Sequence, residues 1–248
     1  MLSQERYSKI LSLLGAKGTV SISELVEITG TSESTIRRDL NDLDKLGKLC
    51  RVHGGATAIN QEFVMVEDDV YTKSNLYIPE KQAIAKYAAS IIQDEDIVYI
   101  DAGTSTELII DYITSEKTMY VTNGIVHAKK LMTRGYKTYI IGGMLKTSTE
   151  AVIGAEAVNS LRKYNFTKAF LGTNGIHLEY GYTTMDPEEA MVKEEVVNRS
   201  YVNYILADNS KFDKISAVTF ADIKKACIIT DKIVKDKYKE ATFTKEVL

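Results

Sequence analysis

"STIRRDL", residues 34–40, decides how the N-terminal part of this chain reads. Two adjacent arginines stand in a segment whose apolar residues recur at helical spacing. Successive residues rotate by about 100° around a helix. Ile36, Leu40 and Leu43 then lie at roughly 180–240° from Ser34, a buried face. Ser34, Arg37, Arg38, Asn41 and Lys45 fall within about 60° of Ser34. That face carries three cations, a hydroxyl and an amide, with Asp39, Asp42 and Asp44 expected on its flanks. Ser32 is the expected N-cap, and Glu33 suits the first turn, where the helix dipole favours an acid.

The flanking residues extend the pattern. "SISELVEITG", residues 21–30, predicts a helix capped by Ser21 or Ser23, with Leu25 and Ile28 inward and Gly30 at its end. Before it, Tyr7, Ile10, Leu11 and Leu14 predict a helix over residues 3–16, ended by Gly15 and Gly18. A helix, a tight turn and a second helix with a basic hydrogen-bonding face make a helix-turn-helix. Such a second helix enters the major groove of DNA, where side chains read base edges and cations engage phosphates. In "LGKLCRVHGGA", Gly47 is expected to end the helix, residues 49–53 to form a strand, and Gly54-Gly55 a hairpin tip. That is a wing, with Arg51 and His53 placed to touch the backbone or minor groove. The DNA-facing set is therefore Ser34, Thr35, Arg37, Arg38, Asn41, Lys45, Arg51 and His53.

Composition neither adds to this nor opposes it. The 248 residues are 44% hydrophobic and 26% charged, as in ordinary globular proteins, with a net charge of −3. A basic surface must therefore be local. Residues 1–56 hold eight Lys/Arg against seven Asp/Glu, a balance of +1 that leaves −4 elsewhere. Cys50 and Cys227 lack metal-ligand spacing and form no disulfide framework, so no metal or cofactor is expected. No signal-peptide pattern and no run of about 18 apolar residues occurs, so no membrane association and a cytoplasmic location are expected.

Residues 1–57 are thus expected to form a winged helix-turn-helix domain, and residues 58–76, which fit neither period, a linker. From Pro79 onward, short apolar runs alternate with amphipathic segments through "DIVYIDAG", "MYVTNG", "KTYIIGG", "KAFLGTNG", "YVNYILAD" and "ACIITD", with "FADIKK" expected as a short helix. The fold class is α/β, with residues 77–248 forming a mostly parallel sheet covered by helices on both faces. Several strands end in small or polar residues: Asp101 with Gly103, Thr104, Ser105 and Thr106; Thr122 with Asn123; Gly142 with Gly143; and Gly172 with Thr173 and Asn174. Ligands of open parallel sheets bind at carboxyl ends of strands, and a glycine followed by hydroxyls at a helix start suits a phosphate. Glu189 and Lys193 have the spacing of an i, i+4 helix ion pair.

"ERYSKILSLL", "SISELVEITGTSESTIRRDLNDLDKLGKL", "RVHGGA", "DAGTST", "VTNG", "IGG" and "LADNSKF" together resemble the DeoR family of bacterial regulators over nearly the whole chain. "FLGTNGIH", "GYTTMDPEEAMVK" and "ADNSKF" look most like fructose operon repressors of Gram-positive bacteria. The resemblance implies a DNA-binding domain followed by a sugar-phosphate sensor whose fold is like that of sugar-phosphate isomerases. It also implies a homo-oligomeric repressor, dimer or tetramer, released from double-stranded operator DNA by a phosphorylated sugar, fructose 1-phosphate the first choice. In such relatives the acids around Glu189, together with Lys193, border the sugar-phosphate pocket with Lys211 nearby. Thr183 and Thr184 precede that helix, and Glu150 is a further candidate for sugar hydroxyls. Where many relatives carry an arginine after the wing, this chain has Glu67, Asp68 and Asp69, and no contact is expected there. The rival reading is a phosphosugar isomerase using Asp101 or Glu150 as base. With no acid-base pair standing out, no catalytic residue is assigned.

Overall fold

The computed structural model describes residues 3–46, 48–58, 63–64, 69–233 and 235–248. The chain divides into two compact units, Met1–Gln61 and Glu62–Leu248.

The first unit runs α1 (Ser3–Lys17), β1 (Thr19–Ser21), α2 (Ile22–Thr29), α3 (Glu33–Lys45), β2 (Cys50–Val52) and β3 (Gly55–Thr57). Ser21 caps α2 by accepting from the Glu24 amide at 3.2 Å, and Ser32 caps α3 by accepting from the Thr35 amide at 3.4 Å. Gly30 ends α2 in the left-handed region (φ 65°), which sets up the tight turn into α3. Ile10, Leu14, Ile22, Leu25, Ile36, Leu40 and Leu43 form the core. Ile28, expected inside, is 36% exposed; Ile22, Leu25 and Thr29 make the inner face instead. Strand β1 is only three residues long, too short to show an alternation in sequence. It pairs antiparallel with β3, which pairs with β2. Gly55 belongs to β3, paired with Ser21 and Val52, where a Cβ would sit 2.1 Å from the Val20 carbonyl oxygen; the wing turn is therefore His53-Gly54. The expected helix end at Gly47 lies outside the described residues, as do Glu67 and Asp68.

The second unit opens with α4 (Val70–Ser74), α5 (Ile78–Ser90), β4 (Ile97–Ile100), α6 (Thr104–Glu107), α7 (Ile109–Tyr112), β5 (Met119–Thr122), α8 (Ile125–Thr133) and β6 (Lys137–Ile140). It continues through β7 (Met144–Lys146), β8 (Ala151–Ile153), α9 (Ala155–Leu161), β9 (Phe166–Gly172), β10 (Gly175–His177), β11 (Gly181–Thr184), α10 (Pro187–Asn198) and β12 (Ser200–Leu206). Last come β13 (Val218–Ala221), β14 (Cys227–Thr230), α11 (Lys237–Ala241) and β15 (Thr244–Glu246). Seven strands form one parallel sheet in the order β15-β14-β12-β9-β4-β5-β6. Residues alternate between two cores. Val98, Ile100 and Phe170 pack with α5, α7 and α8, whereas Tyr99, Ala169 and Leu171 pack with α9 and α10. Burial on both faces explains the continuous apolar runs in sequence.

Two stretches differ from expectation. Part of the expected linker is α4, a single turn capped by Asp69, which accepts from the Thr72 amide at 2.7 Å. Five residues are too few for periodicity to register. "FADIKK" is not one helix: Phe220 and Ala221 end β13, and only Ile223–Lys225 turns, capped by Asp222. Strand β13 joins β10 and β11 in a small antiparallel sheet, and β7 with β8 makes a hairpin.

Candidate functional site

The first candidate site is the outer face of α3. Arg37, Arg38, Asn41 and Lys45 are exposed there, and Ser34 lies beside them at its start. Thr35 is half-buried, with its hydroxyl 2.9 Å from that of Ser32. The face is not free of acid influence. Arg37 reaches back one turn, with Nη2 2.5 Å from Glu33 Oε1, in an exposed i, i+4 pair. Arg51, expected to point outward from the wing, donates from Nη1 to Asn41 Oδ1, and its amide donates to Asp44 Oδ1 at 3.0 Å. It ties β2 to α3. His53 is exposed on the wing turn. Arg6, one of the eight N-terminal cations, is 9% exposed and bound to Asp39, so it adds nothing to the basic surface. Asp39, expected on a flank, is 3% exposed.

The second candidate site is a cleft at the carboxyl edge of the seven-stranded sheet. After β4 the chain moves to β5 and β6 on one side, then returns to β9 on the other. The switch point therefore falls between β4 and β9, where open sheets form their ligand crevice. The loops after β4, β9 and β12 line it, through Gly103, Thr104, Ser105, Gly172, Thr173, Asn174 and Asp208. Of the expected residues, Glu189, Lys193 and Lys211 also line this space, which is about 710 Å³ counting its open mouth.

Several expected residues lie elsewhere. Asp101 is 1% exposed, beneath the cleft, and accepts from Lys193 Nζ and from the Gly172 amide at 3.0 Å. Lys193 thus pairs with Asp101 and not with Glu189. Glu189 instead accepts from Thr149 at 2.7 Å, Lys146 at 3.1 Å and Thr184 at 3.3 Å. Burial pushes the Asp101 carboxyl above the usual range, and Lys193 opposes that rise. Thr106 turns into the core, donating to the Asp101 carbonyl at 2.5 Å and the Gly103 carbonyl at 2.8 Å. Thr122 and Asn123 are buried; the first accepts from the Gly124 amide at 3.0 Å and the second from the Ala102 amide at 2.7 Å. Asn123 thus braces the loop after β4 and Thr122 the loop after β5, and neither lines the cleft. Thr183 is fully buried against Gly175 and Ser216. Gly142 and Gly143 border a separate surface depression with Glu156 and Lys163. Glu150 lines a smaller chamber that adjoins the cleft.

Sequence reasoning missed Val70, Lys73, Lys81, Thr149 and Asp208, which line the cleft, and His127, which lines the chamber. Lys81 is the most informative. It is 5% exposed, donates from Nζ to Thr104 Oγ1 at 3.1 Å and to the Lys73 carbonyl. Burial lowers its ammonium pKa, Asp208 raises it, and Lys211 and Lys73 lower it further. A lysine in the first turn of a helix opposes the dipole, and that mismatch is the signal its sequence carried. His127 is 5% exposed, with Nε2 3.2 Å from the Gly103 carbonyl oxygen and 3.3 Å from Thr106 Oγ1; burial brings its pKa down to about 4.

A winged helix-turn-helix and an α/β unit with a cation-lined switch-point cleft define a ligand-responsive DNA-binding regulator. Residues 6–62 match the DeoR-like helix-turn-helix domain, and residues 77–232 match the DeoR C terminal sensor domain. The chain belongs to the DeoR family of transcriptional regulators. It is 41% identical to an uncharacterized HTH-type transcriptional regulator, FruR, of Bacillus subtilis (strain 168), covering 100% of this chain and 99% of that one. It is 33% identical to a lactose phosphotransferase system repressor of Staphylococcus aureus (strain NCTC 8325 / PS 47), covering 90% and 89%. A ribose 5-phosphate isomerase of Methanocaldococcus jannaschii aligns over 53% of each chain at 14% identity and a TM-score of 0.38, too loose a likeness to bear on activity. The curated relatives are regulators, not enzymes. Among the described residues no helix is long and apolar enough to cross a membrane.

Proposed function

We propose that the chain represses a sugar-utilisation operon in the cytoplasm and is released from its operator by a phosphorylated sugar, with fructose 1-phosphate the first choice. The observation that carries the effector class is the lysine-lined cleft: Lys73, Lys81, Lys193 and Lys211 border the same space as the Thr104 and Ser105 hydroxyls. A phosphate dianion there gains charge-assisted hydrogen bonds that a free sugar cannot make. Asn174, Thr149 and Glu189 offer groups for sugar hydroxyls. The choice of fructose rests on the likeness to FruR and is the finer part of the reading.

Ser34, Thr35, Arg37, Arg38, Asn41, Lys45, Arg51 and His53 are assigned to operator DNA, with Arg51 leaving Asn41 as the wing docks. A single winged unit reads few base pairs, so the working form is a symmetric dimer or tetramer on repeated half-sites. The effector acts by differential affinity for two states of the sensor, only one of which suits the operator. Calorimetry tests the reading: fructose 1-phosphate binds and fructose does not. Tighter binding of another phosphosugar replaces the sugar and keeps the cleft. Binding of no phosphosugar removes both.

A further inference from the structure

The cleft is electrically polarised. Three of its four lysines gather around Thr104: Lys81 contacts that hydroxyl, and Lys73 and Lys211 are close enough to perturb Lys81. Across Gly103, Thr104, Val70 and Thr149, the cleft adjoins a smaller chamber lined further by Glu107, Val126, His127 and Glu150. No lysine lines that chamber, although Lys130, shared with Asp111 at 2.8 Å, stands 3.4 Å from Glu107 Oε1; His127, with a pKa brought down to about 4, is neutral at pH 7. On the opposite flank, Glu189 lines the cleft, and the cation beside it, Lys146, is held between Asp186 and Glu189 at 3.1 Å from each. Away from the lysine cluster, the remaining cation of the cleft, Lys193, is held by Asp101, and the carboxylates lining the chamber are Glu107 and Glu150.

We infer that the site selects sugar monophosphates and rejects sugar bisphosphates, with Glu107 and Glu150 as specificity-determining residues. This rests on the cleft being a phosphosugar site. One phosphate is held by Lys73, Lys81 and Lys211. A six-carbon sugar then directs its far hydroxyls to carboxylate oxygens, which accept their protons. A second phosphate at that far end meets the like charge of the two glutamates. Such repulsion against the wrong ligand is a common source of specificity.

The test compares fructose 1-phosphate with fructose 1,6-bisphosphate by calorimetry, since the pair differs only in the second phosphate. Wild type is expected to bind the bisphosphate at least about tenfold more weakly. The double variant Glu107→Gln/Glu150→Gln is expected to narrow that ratio at least about threefold, because both amides keep hydrogen-bonding capacity and lose charge. Equal or tighter binding of the bisphosphate by wild type overturns this inference alone and leaves the phosphosugar reading standing. An unchanged ratio in the double variant overturns the assignment to the two glutamates. Binding of neither sugar overturns the phosphosugar reading and this inference with it.

Discussion

Arg6 and Asp39 form a buried bidentate ion pair, with Nε 2.5 Å from Oδ2 and Nη2 2.9 Å from Oδ1. It ties α1 to the inner side of α3, one residue from the exposed Arg38. Tyr7 adds a second tie, its hydroxyl 3.2 Å from Asp42 Oδ2. Asp39 and Asp42 thus fix α3 from behind while its cations face outward. Removing one partner of a buried pair strands the other. Asp39→Ala should therefore lower the melting temperature of the DNA-binding unit by several degrees and weaken operator binding. No phosphate contact is lost, so the slope of binding against salt should stay as in wild type. A wild-type melting temperature would contradict the role given to the pair.

Arg37 and Arg38 should differ although they are neighbours. Arg37 begins paired with Glu33. Arg38 is exposed, and among the described residues no ion pair holds it. Arg38→Ala should cost operator binding about 1–3 kcal/mol, and Arg37→Ala less. Glu33→Gln should strengthen binding, by freeing Arg37 and removing a carboxylate from the phosphate-facing side. Fluorescence anisotropy on operator DNA orders the three variants; a loss of affinity in Glu33→Gln would count against this geometry.

Lys193 supports the cleft from below through Asp101. Lys193→Ala leaves a fully buried carboxyl without its cation, a loss of about 3–5 kcal/mol, and should abolish effector binding. Asp101→Asn/Lys193→Met removes both charges. It should recover much of the stability in urea titration without recovering effector binding. Full recovery of both would show that Lys193 serves the fold alone.

The buried His127 gives the sensor unit a pH dependence. Its pKa of about 4 when folded compares with about 6.5 when unfolded. Above pH 6.5 the ring is neutral in both states. Between 6.5 and 4 only the unfolded chain takes up the proton, so stability falls with pH through that window, by roughly 3 kcal/mol in all, and levels off below it. Denaturation of His127→Gln at pH 7 and 4.5 should lack this component. An identical pH dependence in the variant would rule it out.

How much of this could be read from sequence varies with the reach of each pattern. The caps Ser21 and Ser32 and the apolar set Ile36, Leu40 and Leu43 act within a turn or two of their own helix, so spacing revealed them. The parallel strands declared themselves as apolar runs ending in "DAGTST" or "GTNG". Contacts between distant elements left no such trace: Arg6 with Asp39, Asp101 with Lys193, and Lys81 with Thr104 are 33, 92 and 23 positions apart. Spacing instead favoured a Glu189–Lys193 pair, which the fold replaces with two others. Polar strand ends were also poor guides to which side chains reach the cleft. Thr104 and Ser105 do, but Thr106 and Asn123 are consumed in holding the loop that presents them, and Thr122 braces the turn after β5.

The central claim is that a sugar phosphate held at Lys81 releases the protein from DNA. The most direct measurement is operator binding by wild type and Lys81→Met, followed by anisotropy while fructose 1-phosphate is added. Methionine fills the same buried space without the charge. Wild type should dissociate as the sugar phosphate rises, and Lys81→Met should bind the same operator and stay bound. Operator affinity of wild type unmoved by fructose 1-phosphate and by every other sugar phosphate, or release of Lys81→Met at the wild-type concentration, would contradict the account.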